Sequence, residues 1–303
     1  SFDNVTDAAQ ASRKANLTML ASQVSFDTCK PPFVRSFETM SARGASMQIP
    51  AHTRESYHAA VRMGAGSLGC EATFLSDKKT LVCRTDDCDL AYTTNILTTS
   101  FRSKACTAYT PGEGIECCAS KLSKSEFKSL CGTMRLAGDT NAPTLDAYVE
   151  SLGVHYRETT VYQDGGCSEV MTFEDYISLA KEAHVSMVPQ LLDVDINGFD
   201  ATLQAKEFAA QFAAADRPYV YPQSSNAQVV KEWLASGFAN AVFRFYSDSV
   251  STDAVLDDLE SQPIPIRYVS AWAHDLLSAN DHAGGSFALT PLAQRLKDSC
   301  ITV

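Results

Sequence analysis

"HVSMVPQLLDV", His184 to Val194, followed by "FDATLQAKEFAAQFAAAD", Phe199 to Asp216, is the stretch whose reading decides the fold. The first segment is a short, nearly continuous apolar run, as expected of a strand buried on both faces. The second is alanine-rich and carries its apolar residues at helical spacing. The alternation then repeats. Strand "RPYVYPQS" (Arg217 to Ser224) precedes helix "NAQVVKEWLASG" with Gly237 as its stop, and strand "NAVFRFYSD" (Asn240 to Asp248) precedes helix "STDAVLDDLES". Strand "IRYVSAW" (Ile266 to Trp272) follows, and Thr290-Pro291 caps a last helix, "LAQRLKDSC". Repeated strand–helix units of this kind predict a parallel sheet closed as an α/β barrel.

Upstream, "FVRSFETMSA" reads as a first strand, Thr53 to Met63 as a first helix and "GSLGCEATFL" as a second strand. Thr85 to Gly166 is a cysteine-rich, Gly/Pro/Ser-punctuated insertion with short helical pieces at Lys124 to Leu130 and Leu145 to Leu152. The 303 residues are expected to form a single barrel domain carrying this 85–166 insertion. Cys300-Ile301-Thr302-Val303 reads as the start of another strand, and six or seven strand candidates stand against the usual eight. The expectation is that the closing strands come from a second polypeptide, a C-terminal fragment of the same precursor, or lie outside this sequence.

Composition narrows the partners. With 36 acidic and 25 basic side chains the net charge is -11, which repels nucleic-acid phosphates and anionic lipid. No apolar run is long enough to span a bilayer, and Ser1 opens without a signal-peptide pattern, as a mature N-terminus would. Ten cysteines, Cys29, Cys70, Cys83, Cys88, Cys106, Cys117, Cys118, Cys131, Cys167 and Cys300, predict a disulfide framework and hence a secreted, extracellular protein. Loop spacing suggests Cys131 with Cys167, and Cys106 with Cys117 or Cys118. Adjacent Cys117-Cys118 and the "CRTDDC" run lack the paired halves of a zinc site. The sequons at Asn4 and Asn16 agree with a glycosylated, secreted chain.

"RGASMQIPAHTRESYHAAVRMGAGSLGCEATFLSDKKTLVCRTDDCDLAYTTNIL", Arg43 to Leu97, resembles the N-terminal signature of the glycerophosphodiester phosphodiesterase family, particularly its larger secreted forms. "EFKSLCG" (Glu126 to Gly132), "VPQLLDV" (Val188 to Val194) and "YPQSSN" (Tyr221 to Asn226) resemble it as well. The resemblance implies a TIM barrel with an insertion after the second strand. It also implies a chemistry in which acidic residues hold a divalent cation, two histidines act as acid and base, and cationic side chains bind phosphate.

Carried over residue by residue, that machinery is degenerate. The family's first catalytic histidine falls on Ala42 and the second on Thr85. The glutamate of its Pro-Glu-His-Thr falls on Ala51, and the acids of its Glu-Cys-Asp fall on Gly69 and Glu71. A third acidic ligand falls on Gln190 and the phosphate-binding lysine on Leu192, leaving Arg43, Glu71 and Asp86 of the charged set. One carboxylate with an amide is a poor site for a hard cation, so the family metal site is expected to be lost and no cofactor is expected. The turn Arg43-Gly44-Ala45-Ser46 is retained because the barrel needs it.

Other motifs read blandly. "AGSLG" precedes a strand and reads as a turn, not a nucleophile elbow. His52 and His58 do not share a helical face, and His52 is expected at the pocket rim or in a structural role. His184 and His274 are lone histidines beside strands, and "DVDINGFD" lacks the terminal glutamate of a calcium loop. The "FRFY" run alternates core side chains with Arg244, which is expected to point into the barrel, and Trp272 at a strand end is a candidate for stacking on a ligand.

The residues therefore predict a non-enzymatic, secreted binding protein. Its pocket, Ala42, Arg43, Gly69, Glu71, Thr85, Gln190, Leu192 and Trp272, would hold an apolar or amphipathic small molecule such as a pigment or lipid in the emptied barrel mouth. Two other classes remain: a structural or storage glycoprotein without ligand, and a hydrolase remodelled around His52, Glu71 or His274.

Overall fold

The computed structural model describes residues 39–134, 138–152, 167–193, 196, 198–245, 252–271, 276–279 and 287–303. All belong to one compact unit, Arg35–Val303; a second unit, Ser1–Val34, lies outside them, and so do Asn4, Asn16, Cys29, Trp272 and His274.

The strands are β1 (Met40–Ser41), β2 (Ser67–Phe74), β3 (Leu81–Cys83), β4 (Cys131–Gly132), β5 (Ser168–Glu169), β6 (Ser186–Leu191), β7 (Gln223–Ser224), β8 (Val242–Arg244), β9 (Tyr268–Ser270), β10 (Leu277–Ala279) and β11 (Phe287–Leu289). The α-helices are α1 (Arg54–Arg62), α2 (Leu90–Thr93), α3 (Arg102–Ala105), α4 (Lys124–Lys128), α5 (Leu145–Ser151), α6 (Phe173–Glu182), α7 (Ala201–Ala209), α8 (Ala227–Ala235), α9 (Thr252–Glu260) and α10 (Pro291–Asp298). The main sheet runs β1-β2-β6-β7-β8-β9, all parallel, with β3 folded back antiparallel on β2. It is the curved half of a barrel. Thr302 pairs in parallel with Tyr268, so the segment after α10 begins a further strand beside β9, as its sequence suggests.

The register follows from burial on both faces. β2 is buried throughout except at half-buried Glu71; Leu68, Cys70 and Ala72 alternate with it and join Tyr57, Phe173 and Tyr176 in the core. Polar side chains start the helices: Thr53 caps α1, Thr172 and Asp175 form a capping box on α6, and Asp200, Asn226 and Thr290 cap α7, α8 and α10.

The insertion packs in a second core, in which its Leu90, Ile96, Leu97, Phe127 and Leu130 are buried with Leu75 and Val170 from the segments on either side of it. Its cysteines pair as Cys88–Cys118, Cys106–Cys117 and Cys131–Cys167, while Cys70–Cys83 ties β2 to β3. An ion network of Arg54, Lys128, Glu169 and Asp175 fastens α4 and β5 to α1 and α6.

Several sequence expectations need correction. Cys300 is an exposed free thiol, not a disulfide partner: it sits at φ 56° just beyond α10, with no described cysteine beside it. Arg217–Tyr219 forms a 3-10 turn because Pro218 cannot donate to a ladder, which shortens β7 to two residues. The helix expected to Asp216 stops at Ala209; Ser67-Leu68-Gly69 belong to β2, as the strand reading of "GSLGCEATFL" has it, and not to the turn read in "AGSLG".

Candidate functional site

Parallel pairing sets Glu71 of β2 opposite Gln190 of β6, and Gln190 opposite Gln223 of β7. Paired residues share a face, so these three form a polar row on the side of the sheet away from Leu68, Cys70 and Ala72. Two residues beyond the Val242 position that pairs with Gln223, Arg244 donates from Nη1 to the Gln190 amide oxygen, as its expected inward orientation requires.

The loop between β1 and α1 supplies the rest. Gly44 has φ 76°, and a Cβ there would lie 2.4 Å from the Ser56 hydroxyl, so the turn accepts only glycine. That turn brings Arg43 onto Glu71 in a bidentate pair, Nε to Oε2 and Nη2 to Oε1, each 2.7 Å. His52, fully buried at φ 58°, places Nε2 3.0 Å from Glu71 Oε2. Its Nδ1 is 3.0 Å from the buried Tyr57 hydroxyl, which donates to the Gly69 carbonyl at 2.8 Å.

Burial alone would raise the Glu71 carboxyl, but hydrogen bonds from His52 and Arg43 outweigh it and hold the group below its ordinary value. Burial pushes the His52 imidazole below its ordinary value against the pull of Glu71. The ring is then neutral at physiological pH, with Nε2–H donated to the carboxylate, which can only accept, and Nδ1 becomes an acceptor that shares the one Tyr57 hydroxyl proton with the Gly69 carbonyl. Burial likewise drives the Tyr57 phenol well above its usual range.

Beneath this group a second ion pair is sealed from solvent: Arg84 donates from Nε to Asp89 Oδ1 at 2.9 Å and from Nη2 to Thr93. Thr85 donates its backbone N–H to Asp89 Oδ2 at 3.1 Å, so its neighbourhood is occupied by this pair.

The pocket expected from sequence is divided. Gln190 and Leu192 line a cavity of about 550 Å³ with Asp86, Asp87, Ser120 and Lys121 of the insertion. Ala42 instead borders a separate concavity beside β1, with Met40, Met47 and Met63, and Ala51 lies in the turn leading to His52. Gly69 is not an emptied position. A Cβ there would lie 2.9 Å from the Ala42 carbonyl oxygen and 3.1 Å from its Cα, so backbone has closed over the space a side chain would need.

A hard divalent cation does not fit what is present. Both oxygens of Glu71 are taken by N–H donors, position 69 excludes a side chain, and the Gln190 oxygen accepts from Arg244. Asp87, Cys88 and Cys118 bring ligand atoms within 4.8 Å of one another, but Cys88 and Cys118 are bonded to each other and offer no thiolate.

Sequence reasoning found Arg43, Glu71 and Arg244 but not that the first two pair. It missed Tyr57, Gln223 and the Arg84–Asp89 pair; only the strand register and the helix position of Tyr57 reveal them.

No family model and no curated protein matches the chain. Among solved structures it resembles a glycerophosphoryl diester phosphodiesterase from Silicibacter pomeroyi DSS-3 at 13% identity and TM-score 0.55, over 90% of this chain and 83% of that one. A phosphodiesterase from Oleispira antarctica, solved with sn-glycerol-3-phosphate, shares 14% identity over 73% and 71% of the two chains at TM-score 0.47. The corresponding domain of a Mycobacterium tuberculosis protein shares 12% over 86% and 82%, also at 0.47. The first of these carries the conclusion, and it concerns architecture: the chain has the fold of the glycerophosphoryl diester phosphodiesterase barrel, as its sequence resemblance implies.

Proposed function

We propose that this chain is a secreted, non-catalytic protein on a phosphodiesterase-type barrel, binding a small amphipathic molecule at the C-terminal ends of its strands. The observation that carries the reading is the capture of Glu71: the one carboxylate retained from the family's acidic set is held by Arg43 and His52 in place of a cation. At the described positions where the family would carry its acid and base histidines, Ala42 and Thr85 cannot titrate near neutrality, and His52 beside them is fully buried. A hydrolase remodelled around His52 is disfavoured on the same ground.

The lining selects among ligands. Glu71, Gln190, Gln223 and Arg244 make the mouth polar, which favours an amphipathic molecule over a purely apolar one. Four disulfides support an oxidising, extracellular setting, and among the described residues no helix is long and apolar enough to cross a membrane.

Native mass spectrometry of protein purified from its source tests the reading, comparing the intact mass with the mass after denaturation and reduction. A released small molecule supports it. A chain that carries nothing, and whose melting temperature no amphipathic compound shifts, fits a structural glycoprotein and overturns it. The same spectrum shows whether a second polypeptide accompanies the chain along the sheet edges at β1 and Thr302.

A further inference from the structure

A second concavity lies at the opposite end of the barrel. It measures about 550 Å³ and sits beneath the N-terminal ends of β2 and β6. Its floor is apolar: Ala180, Val185 and Met187 are buried there. Its rim is polar, formed by exposed His184, Lys181 and Tyr219 and half-buried Asp216. An apolar floor under a few convergent polar groups is the usual build of a small-molecule site.

The backbone at His184 points the same way. Residues just beyond a helix C-terminus often adopt positive φ, where glycine is favoured because a Cβ is strained. Gly64 after α1 and Gly237 after α8 follow that rule, at φ 94° and 89°. After α6 the position is His184 at φ 52° and after α10 it is Cys300 at φ 56°, so two of these four helix ends place a side chain in this conformation, and His184 is the one that lines this cavity. His184 and Tyr219 then supply two rings at the rim, suited to the faces of a flat ligand.

Charge sets the ligand class. Lys181 Nζ lies 3.0 Å from the Asp216 carboxylate, so the two rim charges satisfy each other and leave no net charge to attract an ion.

We propose that this cavity is a second small-molecule site, taking an uncharged, largely apolar ring compound that bears one hydrogen-bonding group. It lies at the end of the barrel away from the strand ends where ligands of such folds sit, and stands independently of the mouth.

The test titrates p-cresol and cyclohexanol into the ¹⁵N-labelled chain and follows backbone amide shifts, alongside the variants His184→Gly and Ala180→Leu. Saturable shifts centred on Gly66, Val185 and Met187 are expected. His184→Gly relaxes the turn and should raise the melting temperature by about 2–4 °C, while weakening p-cresol binding about three- to tenfold. Ala180→Leu, which fills the floor, should abolish binding. Shifts that do not saturate, that centre on Gln190 and Leu192, or that His184→Gly leaves unchanged would overturn the proposal, and the glycine variant decides the matter even if Ala180→Leu does not fold.

Discussion

Gly69→Ala should destabilise this protein, against the usual benefit of removing a glycine. Position 69 has no positive φ, so alanine meets no conformational bar. The loss of unfolded-state entropy alone would stabilise by about 0.4–1 kcal/mol. Opposing it, the new Cβ lies 2.9 Å from the Ala42 carbonyl oxygen and 3.1 Å from its Cα, both backbone atoms that move only with β1. Overpacking of that kind costs about 1–3 kcal/mol. At the middle of both ranges the balance is a loss of about 1.3 kcal/mol, with an upper bound of about 2.6, or roughly 3–5 °C in melting temperature at the mid-value for a domain of this size. Thermal unfolding by circular dichroism at matched pH measures it. Because the clash is with backbone, shrinking residue 42 in the double variant Ala42→Gly/Gly69→Ala should not restore stability. Gly69→Glu, which reinstates the family's acid, should be worse still and should gain no affinity for Ca²⁺. If Gly69→Ala is as stable as the parent, or if Gly69→Glu acquires tight calcium binding, the inference that backbone has closed this position fails.

Three further outcomes are expected. Glu71→Gln should cost about 1–3 kcal/mol by urea unfolding, less than a fully buried pair because Arg43 is partly exposed. The carboxyl's folded pKa lies below its unfolded value, so its contribution is present above the unfolded pKa near 4.3 and lost as pH falls through the folded one; the variant should show a flatter acid limb. Arg84→Met should leave buried Asp89 unpaired and cost about 3–5 kcal/mol, read as sharply raised proteolytic susceptibility; parental resistance would contradict it. Replacing Cys131 and Cys167 by serine removes a cross-link over 36 residues and should lower stability by about 3–4 kcal/mol, with urea midpoints as the readout.

The barrel was legible because its signals are local. Apolar runs at Ser186–Leu191, caps at Thr53, Asn226 and Thr290, and the stop at Gly237 each act within a few residues, and the fold follows them. The second core was not, since Ile96 and Phe127 of the insertion meet Leu75 and Val170 on either side of it through distant contacts in short irregular segments that carry no period. At the mouth, the residue types were readable from the family resemblance and their arrangement was not. Arg43 and Glu71 stand 28 positions apart, and nothing in the sequence says that at Gly69, where the family resemblance would set an acid, backbone fills the space. His52 was expected at a rim or in a structural role; the structure gives it the structural one, buried against Glu71 and Tyr57.

The central claim is that N–H donors have taken the place of a cation at Glu71 and that phosphodiester hydrolysis has gone with it. Incubating the purified chain with a glycerophosphodiester in the presence of Mg²⁺, Mn²⁺ or Ca²⁺, and following release of glycerol phosphate, tests it most directly. No turnover above the metal-containing buffer, and none altered by Glu71→Gln, is the predicted result. Metal-dependent turnover that Glu71→Gln abolishes would contradict the account.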